Sequence, residues 1–180
     1  FPSRFQFTEE LGWIPEGWNV VSVEQAIDIN PKTPLKKGVV AKYADMKALP
    51  TSGYNIEEVY EKAYSGGAKF QNGDVLLARI TPCLENGKTA VVDFLDADEV
   101  GFGSTEFIVL RERGLLTMPF VACLARDEGF RSHCIQNMVG SSGRQRVQNS
   151  CFSSFCLALP ASDQILNAFD SATQPLFNKA

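Results

Sequence analysis

The run Gly140-Ser141-Ser142-Gly143-Arg144-Gln145-Arg146-Val147 sets two glycines and two serines directly against two arginines. Glycine permits positive φ and close backbone approach. Successive exposed N–H groups in such a loop form an anion-binding nest. Arginine adds planar, permanently charged donors that match a phosphate or a base edge. Ser141, Ser142, Arg144 and Arg146 are therefore candidate nucleic-acid contacts. A flexible connection between a helix and a strand, with solvated arginines, accounts for the same octapeptide. Arg144 and Arg146 are two apart, which on an extended backbone puts both on one face and Gln145 on the other. The competing account holds one arginine in an ion pair that pins the loop to a sheet.

A second group lies earlier in the chain. Arg79-Ile80-Thr81-Pro82 follows the apolar run Val75-Leu76-Leu77-Ala78, so Arg79 and Thr81 should emerge where a buried strand ends. Asn86 and Lys88 flank a turn at Gly87, and Ser104 and Thr105 follow two glycines. Such residues suit phosphate contacts, and Arg79 suits a guanine edge. Each also has a local explanation: Thr81 as turn former, Asn86 as turn residue, Ser104 and Thr105 as strand-entry hydroxyls. The candidate DNA-binding set is Arg79, Thr81, Lys88, Ser141, Ser142, Arg144 and Arg146. The less motif-like stretch from Pro31 to Lys69 offers other readers: Lys36, Lys37, Lys42, Lys47, Thr51 and Asn55.

Catalysis finds little support. His133 is the sole histidine, and no Gly-x-Ser-x-Gly block occurs. There is no Walker loop. Gly101-Phe102-Gly103 lacks the later glycine of a dinucleotide loop. Neither an adenine methyltransferase's Asn-Pro-Pro-Tyr type of block nor a nuclease's carboxylate cluster is visible. The acidic run Asp93, Asp96, Asp98, Glu99 reads as a solvated loop. Five cysteines, at 83, 123, 134, 151 and 156, form no CxxC pair. They read as reduced, mostly buried thiols rather than a zinc site. No catalytic residue, metal or cofactor is expected.

These residues need positioning elements. Residues 1–18 lack a period and read as an irregular lead-in anchored by Trp13 and Trp18. Ser22 caps a short helix through Ile27. Strands are expected at 39–43, 74–80, 88–94, 106–111 and 155–159. Ile56, Val59, Tyr60 and Ala63 have helical spacing, ended by Ser65-Gly66-Gly67. Asn86-Gly87 reads as a tight hairpin turn. Helices follow at Phe120, Val121, Leu124 and, capped by Asp127, at Phe130, Cys134, Ile135, Met138. After Pro160, Ile165, Phe169, Ala172 and Leu176 begin a heptad seam that Pro175 interrupts. An amphipathic tail helix packed on its own domain explains the same spacing. Strands and helices mix without βαβ alternation. The fold class is α+β: a single domain around a curved, largely antiparallel sheet with flanking helices.

The 180 residues, 44% hydrophobic, suit one globular domain. No apolar run reaches membrane-spanning length and no secretory signal pattern is visible. The first residue is Phe1 rather than Met, which fits a fragment or a processed product. A net charge of −4 argues against a strongly DNA-binding domain. The charge is uneven, however. Residues 121–150 carry four arginines against two carboxylates, whereas 90–120 carry six carboxylates against two arginines. An acidic chain with one basic loop binds DNA weakly alone, because sequence-independent affinity comes mostly from neutralised phosphates.

Several blocks together carry a resemblance. They are Leu11-Gly12-Trp13-Ile14-Pro15-Glu16-Gly17-Trp18, the stretch from Gly73 to Lys88, the stretch from Gly101 to Leu110, Phe130-Arg131, Met138 and the Gly140 loop. In this order and spacing they resemble the target recognition domain of the type I restriction–modification specificity subunit, from about Phe1 to Phe177. The resemblance implies a non-catalytic, cytoplasmic protein that grips one half of a split site in double-stranded DNA. Methyltransferase (modification) subunits would then supply adenine methylation, and a restriction subunit translocation and cleavage. It implies a recognition domain over 1–160 and, over 161–180, the truncated start of a conserved spacer helix leading to a second recognition domain. The opening Phe1-Pro2-Ser3-Arg4-Phe5 looks like the lead into a second, C-terminal recognition domain. In that family the blocks build the framework and the base readers lie in variable loops. Two other classes remain open: the recognition domain of a fused restriction–methylation enzyme, and a protein-docking module without DNA contact.

Overall fold

The apolar run Val75-Leu76-Leu77-Ala78 has no polar alternation, so a strand there needs cover on both faces. The computed structural model, which describes residues 2–114 and 116–177, supplies that cover. An antiparallel hairpin of β1 (Phe5–Thr8) and β2 (Gly12–Pro15) leads to β3 (Trp18–Ser22). Ser22 caps α1 (Val23–Ala26) through a reciprocal pair: its hydroxyl accepts from Gln25 N, and Gln25 accepts from Ser22 N. Next come β4 (Asp28–Ile29), β5 (Val40–Ala44), β6 (Tyr60–Ala63), β7 (Ala68–Phe70), β8 (Val75–Ala78), β9 (Thr89–Val91), β10 (Gly101–Gly103) and β11 (Phe107–Arg111). Two helices follow, α2 (Met118–Arg126) and α3 (Glu128–Gln136), the second capped by Asp127, whose carboxylate accepts from Phe130 N. The chain finishes with β12 (Met138–Val139), β13 (Arg146–Val147), a 3-10 turn at Asn149–Ser153, β14 (Cys156–Pro160) and α4 (Asp163–Phe177).

The architecture is α+β, and the described strands fall into five small sheets rather than one continuous one. The order β4-β11-β8-β9 is antiparallel throughout. The order β6-β5-β10-β7 contains one parallel pair, β10 on β5. Alternate residues of the first sheet feed two cores. Val75, Leu77, Ile108 and Leu110 point toward a cluster with α1, α2 and α3, including Val121, Leu124, Phe130 and Phe152. Leu76, Ala90, Phe107 and Val109 point toward a second cluster with Leu49 and Phe70. Period-two burial on both faces explains the unbroken apolar run.

Four expectations need correction. The helical spacing at 56–63 is a coincidence: Tyr60–Ala63 is an exposed strand antiparallel to β5, with Tyr60 opposite Tyr43. Four exposed residues give a helix no face to bury, whereas the ladder satisfies their backbone. Gly67 does not end a helix. Its φ is +116, and a Cβ there would lie 2.0 Å from Gly103 O, so only glycine lets the two backbones meet. The lead-in is a hairpin, and Trp13 is no core anchor. It is 71% exposed, edge-on to Phe7 at 5.6 Å, and Ile14 is the residue that is buried. Trp18 is half-buried. Strands β8 and β9 are joined by a ten-residue loop, 79–88, and not by a two-residue turn. Of the five thiols only Cys134 and Cys151 are buried, with Cys123 exposed.

Helix α4 lies on its own domain through Leu166, Phe169, Asp170 and Phe177. Phe169 meets Phe120, Phe177 meets Tyr54, and Asp170 accepts from Thr117 Oγ1 at 2.6 Å. Of the expected seam, Phe169 faces the domain while Ile165 and Leu176 are exposed. No helix among the described residues is long and apolar enough to cross a membrane.

Candidate nucleic-acid interface

Strands β12 and β13 form a hairpin, with Met138 opposite Val147 and Val139 opposite Arg146. Residues 140–145 are its tip. Gly140 has φ +134, and a Cβ there would press on Arg144 O at 2.8 Å. The tip is closed by Arg144 N donating to Ser141 O at 3.0 Å. Ser141, Ser142, Gly143 and Arg144 are all exposed. Arg144 lies in this turn, not on an extended strand, so it does not share a ladder face with Arg146.

Arg146 has a different place. Its guanidinium makes three hydrogen bonds to the Glu106 carboxylate at 2.9, 2.9 and 2.7 Å, and Nη1 donates to Arg144 O at 3.2 Å. The bonds to Glu106 raise the Arg146 pKa further above its ordinary value. The hairpin root is laced to the segment after β8. Val147 N donates to Arg79 O at 2.9 Å, Thr81 N to Gln145 O at 3.0 Å, and Arg79 Nη2 to Val147 O. Of the two accounts of this loop, the one that pins an arginine by an ion pair describes Arg146.

The fold thus brings six of the seven sequence candidates together. Arg79, Thr81 and Arg146 stand at the hairpin root, and Ser141, Ser142 and Arg144 at its tip. Thr81 Oγ1 donates to Glu85 at 2.7 Å. Lys88 is turned away. Its backbone carbonyl accepts from Ala78 N, but its ammonium donates to Met46 O and Leu49 O at 2.9 and 3.0 Å. Ser104 Oγ accepts from Glu106 N at 3.1 Å, as a strand-entry hydroxyl does. Of the other readers considered, Lys42 is held by Glu99 and Asp96 at 2.9 and 3.1 Å, which raises its pKa. Lys36, Lys37, Lys47, Thr51 and Asn55 are exposed.

Two cations that sequence reading did not single out, Lys32 and Lys69, share an open groove with Arg79 and Thr105. Their numbers differ widely: Lys69 lies on β7 beside β10, and Lys32 follows β4, which pairs with β11, the partner of the β8 strand that Arg79 ends. Among the described residues no group of three or more His, Cys, Asp or Glu is arranged to hold a metal ion.

No protein-family model matches the chain. It is 29% identical over 153 residues to the type I restriction enzyme EcoEI specificity subunit of Escherichia coli, covering 82% of this chain and 26% of that protein. It is 27% identical over the same length to the EcoAI specificity subunit of Escherichia coli, with the same coverage. The chain therefore spans about a quarter of the length of the curated relatives it matches. Its fold is similar to the HsdS subunit from Thermoanaerobacter tengcongensis, with TM-score 0.64 and 19% identity over 94% of this chain and 45% of that one. It is also similar to the type I restriction–modification S subunit from M. genitalium, with TM-score 0.51 and 11% identity over 86% of this chain and 37% of that one. The chain is homologous to type I specificity subunits.

Proposed function

We propose that this chain, a homologue of type I restriction enzyme specificity subunits, is one target recognition domain that grips one half of a split double-stranded DNA site. The observation that carries the reading is the similarity to two specificity subunits across 82% of the chain. In this reading the chain is not itself an enzyme and works in the cytoplasm. Modification subunits methylate adenine, a restriction subunit cleaves, and residues 161–180 begin the spacer to a second recognition domain. The exposed tip Ser141, Ser142, Arg144 supports it, because side-chain donors at a hairpin end that have no partner among the described residues suit a DNA groove.

The test is a domain exchange. Replacing one recognition domain of a working specificity subunit by this chain should change one half of the methylated sequence in host DNA and leave the other half unchanged. A methylation pattern identical to that of the parent, from a complex that assembles and methylates, overturns the reading.

A further inference from the structure

The groove beside the hairpin root has a volume of about 690 Å³ and is lined by Lys32, Thr33, Lys69, Arg79, Thr105 and Phe107 among others. Its lining holds three cations and no carboxylate, in a chain with a net charge of −4. Arg79 lies in it with no ion pair among the described residues. Its Nη2 is tied to Val147 O, and its Nε is buried without any acceptor. A partly buried guanidinium without a countercharge is costly unless an anion arrives. Of the carboxylates near this strand end, Glu106 is already paired with Arg146, and Glu85 accepts from Thr81 Oγ1.

The groove is also preformed. Thr33 Oγ1 accepts from Arg111 Nη2 at 3.0 Å, and Arg111 is itself clamped by Asp74. Asn30 is held at both ends: its N donates to Val109 O at 2.7 Å and its Oδ1 accepts from Val109 N at 3.0 Å. Positive charge continues out of the groove along one sheet face. Lys69 Nζ stands 5.9 Å from the Tyr64 ring, and Lys62 Nζ stands 4.5 Å from the Tyr43 ring, with half-exposed Tyr60 against Tyr43.

We propose that this groove takes the phosphodiester backbone of one DNA strand, held by Arg79, Lys32 and Lys69 without regard to base sequence. The inference rests on the DNA-recognition reading above and divides its labour. A guanine edge needs a free fork of two parallel donors. Arg79 does not present one, because Nη2 is engaged and the Nε side is closed. A phosphate oxygen needs only charge and a single donor direction. Base reading then falls to the hairpin tip, and positioning to the groove.

The experiment measures equilibrium binding of the whole chain to its target duplex and to an unrelated duplex across a salt series. The variants are the pair Lys32→Ala/Lys69→Ala and, separately, Arg79→Gln, with thermal melts as folding controls. The lysine pair should weaken both duplexes equally and flatten the slope of log affinity against log salt by about two units, one for each lost phosphate contact. Arg79→Gln should flatten it by about one. Duplex binding with an unchanged slope in every variant overturns the groove assignment and leaves the DNA reading standing. No duplex binding by the unaltered chain overturns both. Inorganic phosphate or ATP that saturates Arg79 without displacing duplex overturns the assignment in favour of a free-anion site.

Discussion

The two ends of the β8–β11 ladder carry one arginine each, and they are used in opposite ways. At one end Arg111 forms a bidentate pair with Asp74, at 2.6 and 2.8 Å, and a third bond to Thr33. Asp74 is fully buried and also accepts from Gln71 N at 2.9 Å, so its carboxylate and the Arg111 guanidinium are spent on the frame. At the other end Arg79 holds a single carbonyl and no carboxylate, and Lys32 and Lys69 lie beside it. The cations of this acidic chain sort by the acceptors they hold. Those tied by a carboxylate or by several carbonyls build the frame, and those held by a single carbonyl face what the frame presents them to. Arg126 belongs to the frame: it donates to the carbonyls of Pro50, Thr51, Gly53 and Thr89 and covers the Tyr54 ring at 4.6 Å. Burial lowers its pKa, and the same burial makes its carbonyl partners necessary.

The largest loss is expected at Asp74. Asp74→Ala leaves the Arg111 guanidinium without its partner at the edge of the core, and chemical denaturation should register a loss of about 3–5 kcal/mol. Arg79→Gln, at the opposite end, should cost well under half as much. Equal losses at the two ends would erase the distinction.

The next effect is that of helix α4. Phe169→Ala removes the ring that meets Phe120 and should lower stability by about 1–2 kcal/mol. Ile165→Ala, on the exposed side of the same helix, should stay within about 0.5 kcal/mol. A larger cost at Ile165 than at Phe169 would show that the expected heptad seam, and not the domain-facing side, is buried in solution.

What the sequence made legible was local. Ser22 and Asp127 cap the helices their side chains predict, and the apolar runs at 75–78 and 107–110 became strands because burial on both faces leaves no other pattern. The N-terminal hairpin was missed for a specific reason. Phe5, Phe7, Trp13 and Pro15 do alternate on one face, but that face is turned to solvent, where an apolar period is least expected. Ile56 and Val59 misled through a chance helical spacing. The Gly140 loop was legible as a loop with donors, but which arginine is pinned depended on Glu106, forty residues earlier. The groove was not legible at all, because Lys32, Lys69 and Arg79 come to line it through strand pairings between segments far apart in sequence.

Within the hairpin the same comparison recurs on a smaller scale. Arg146 and Glu106 are partly exposed, at 40% and 23% of their side-chain surface, so solvent screens the pair. A double-mutant cycle with Arg146→Ala and Glu106→Ala should give a coupling near 1 kcal/mol, and no coupling would mean that the pair does not pin the loop.

The smallest effect on stability, and the most informative about function, belongs to Arg144. Its side chain is exposed, and its only bonds within the hairpin are through the backbone, by N to Ser141 O and by O to Arg146 Nη1. Arg144→Ala keeps both, so the melting curve should be unchanged within about 0.5 kcal/mol. DNA affinity should nevertheless fall by about 1–3 kcal/mol, and discrimination at one base pair should relax, if the guanidinium reads a base edge. A phosphate contact predicts something else: equal weakening for every duplex and a salt slope lower by about one unit. The base-edge outcome is expected, because the fork at Arg144 has no partner among the described residues, where the one at Arg79 is tied. Arg144→Lys separates the cases again, since a lysine keeps the charge but not the planar pair of donors. It should restore affinity at a phosphate and fail to restore specificity at a base. Unchanged affinity for Arg144→Ala, or a lowered melting temperature, would place Arg144 with the frame and remove the contrast between the root of this hairpin and its tip.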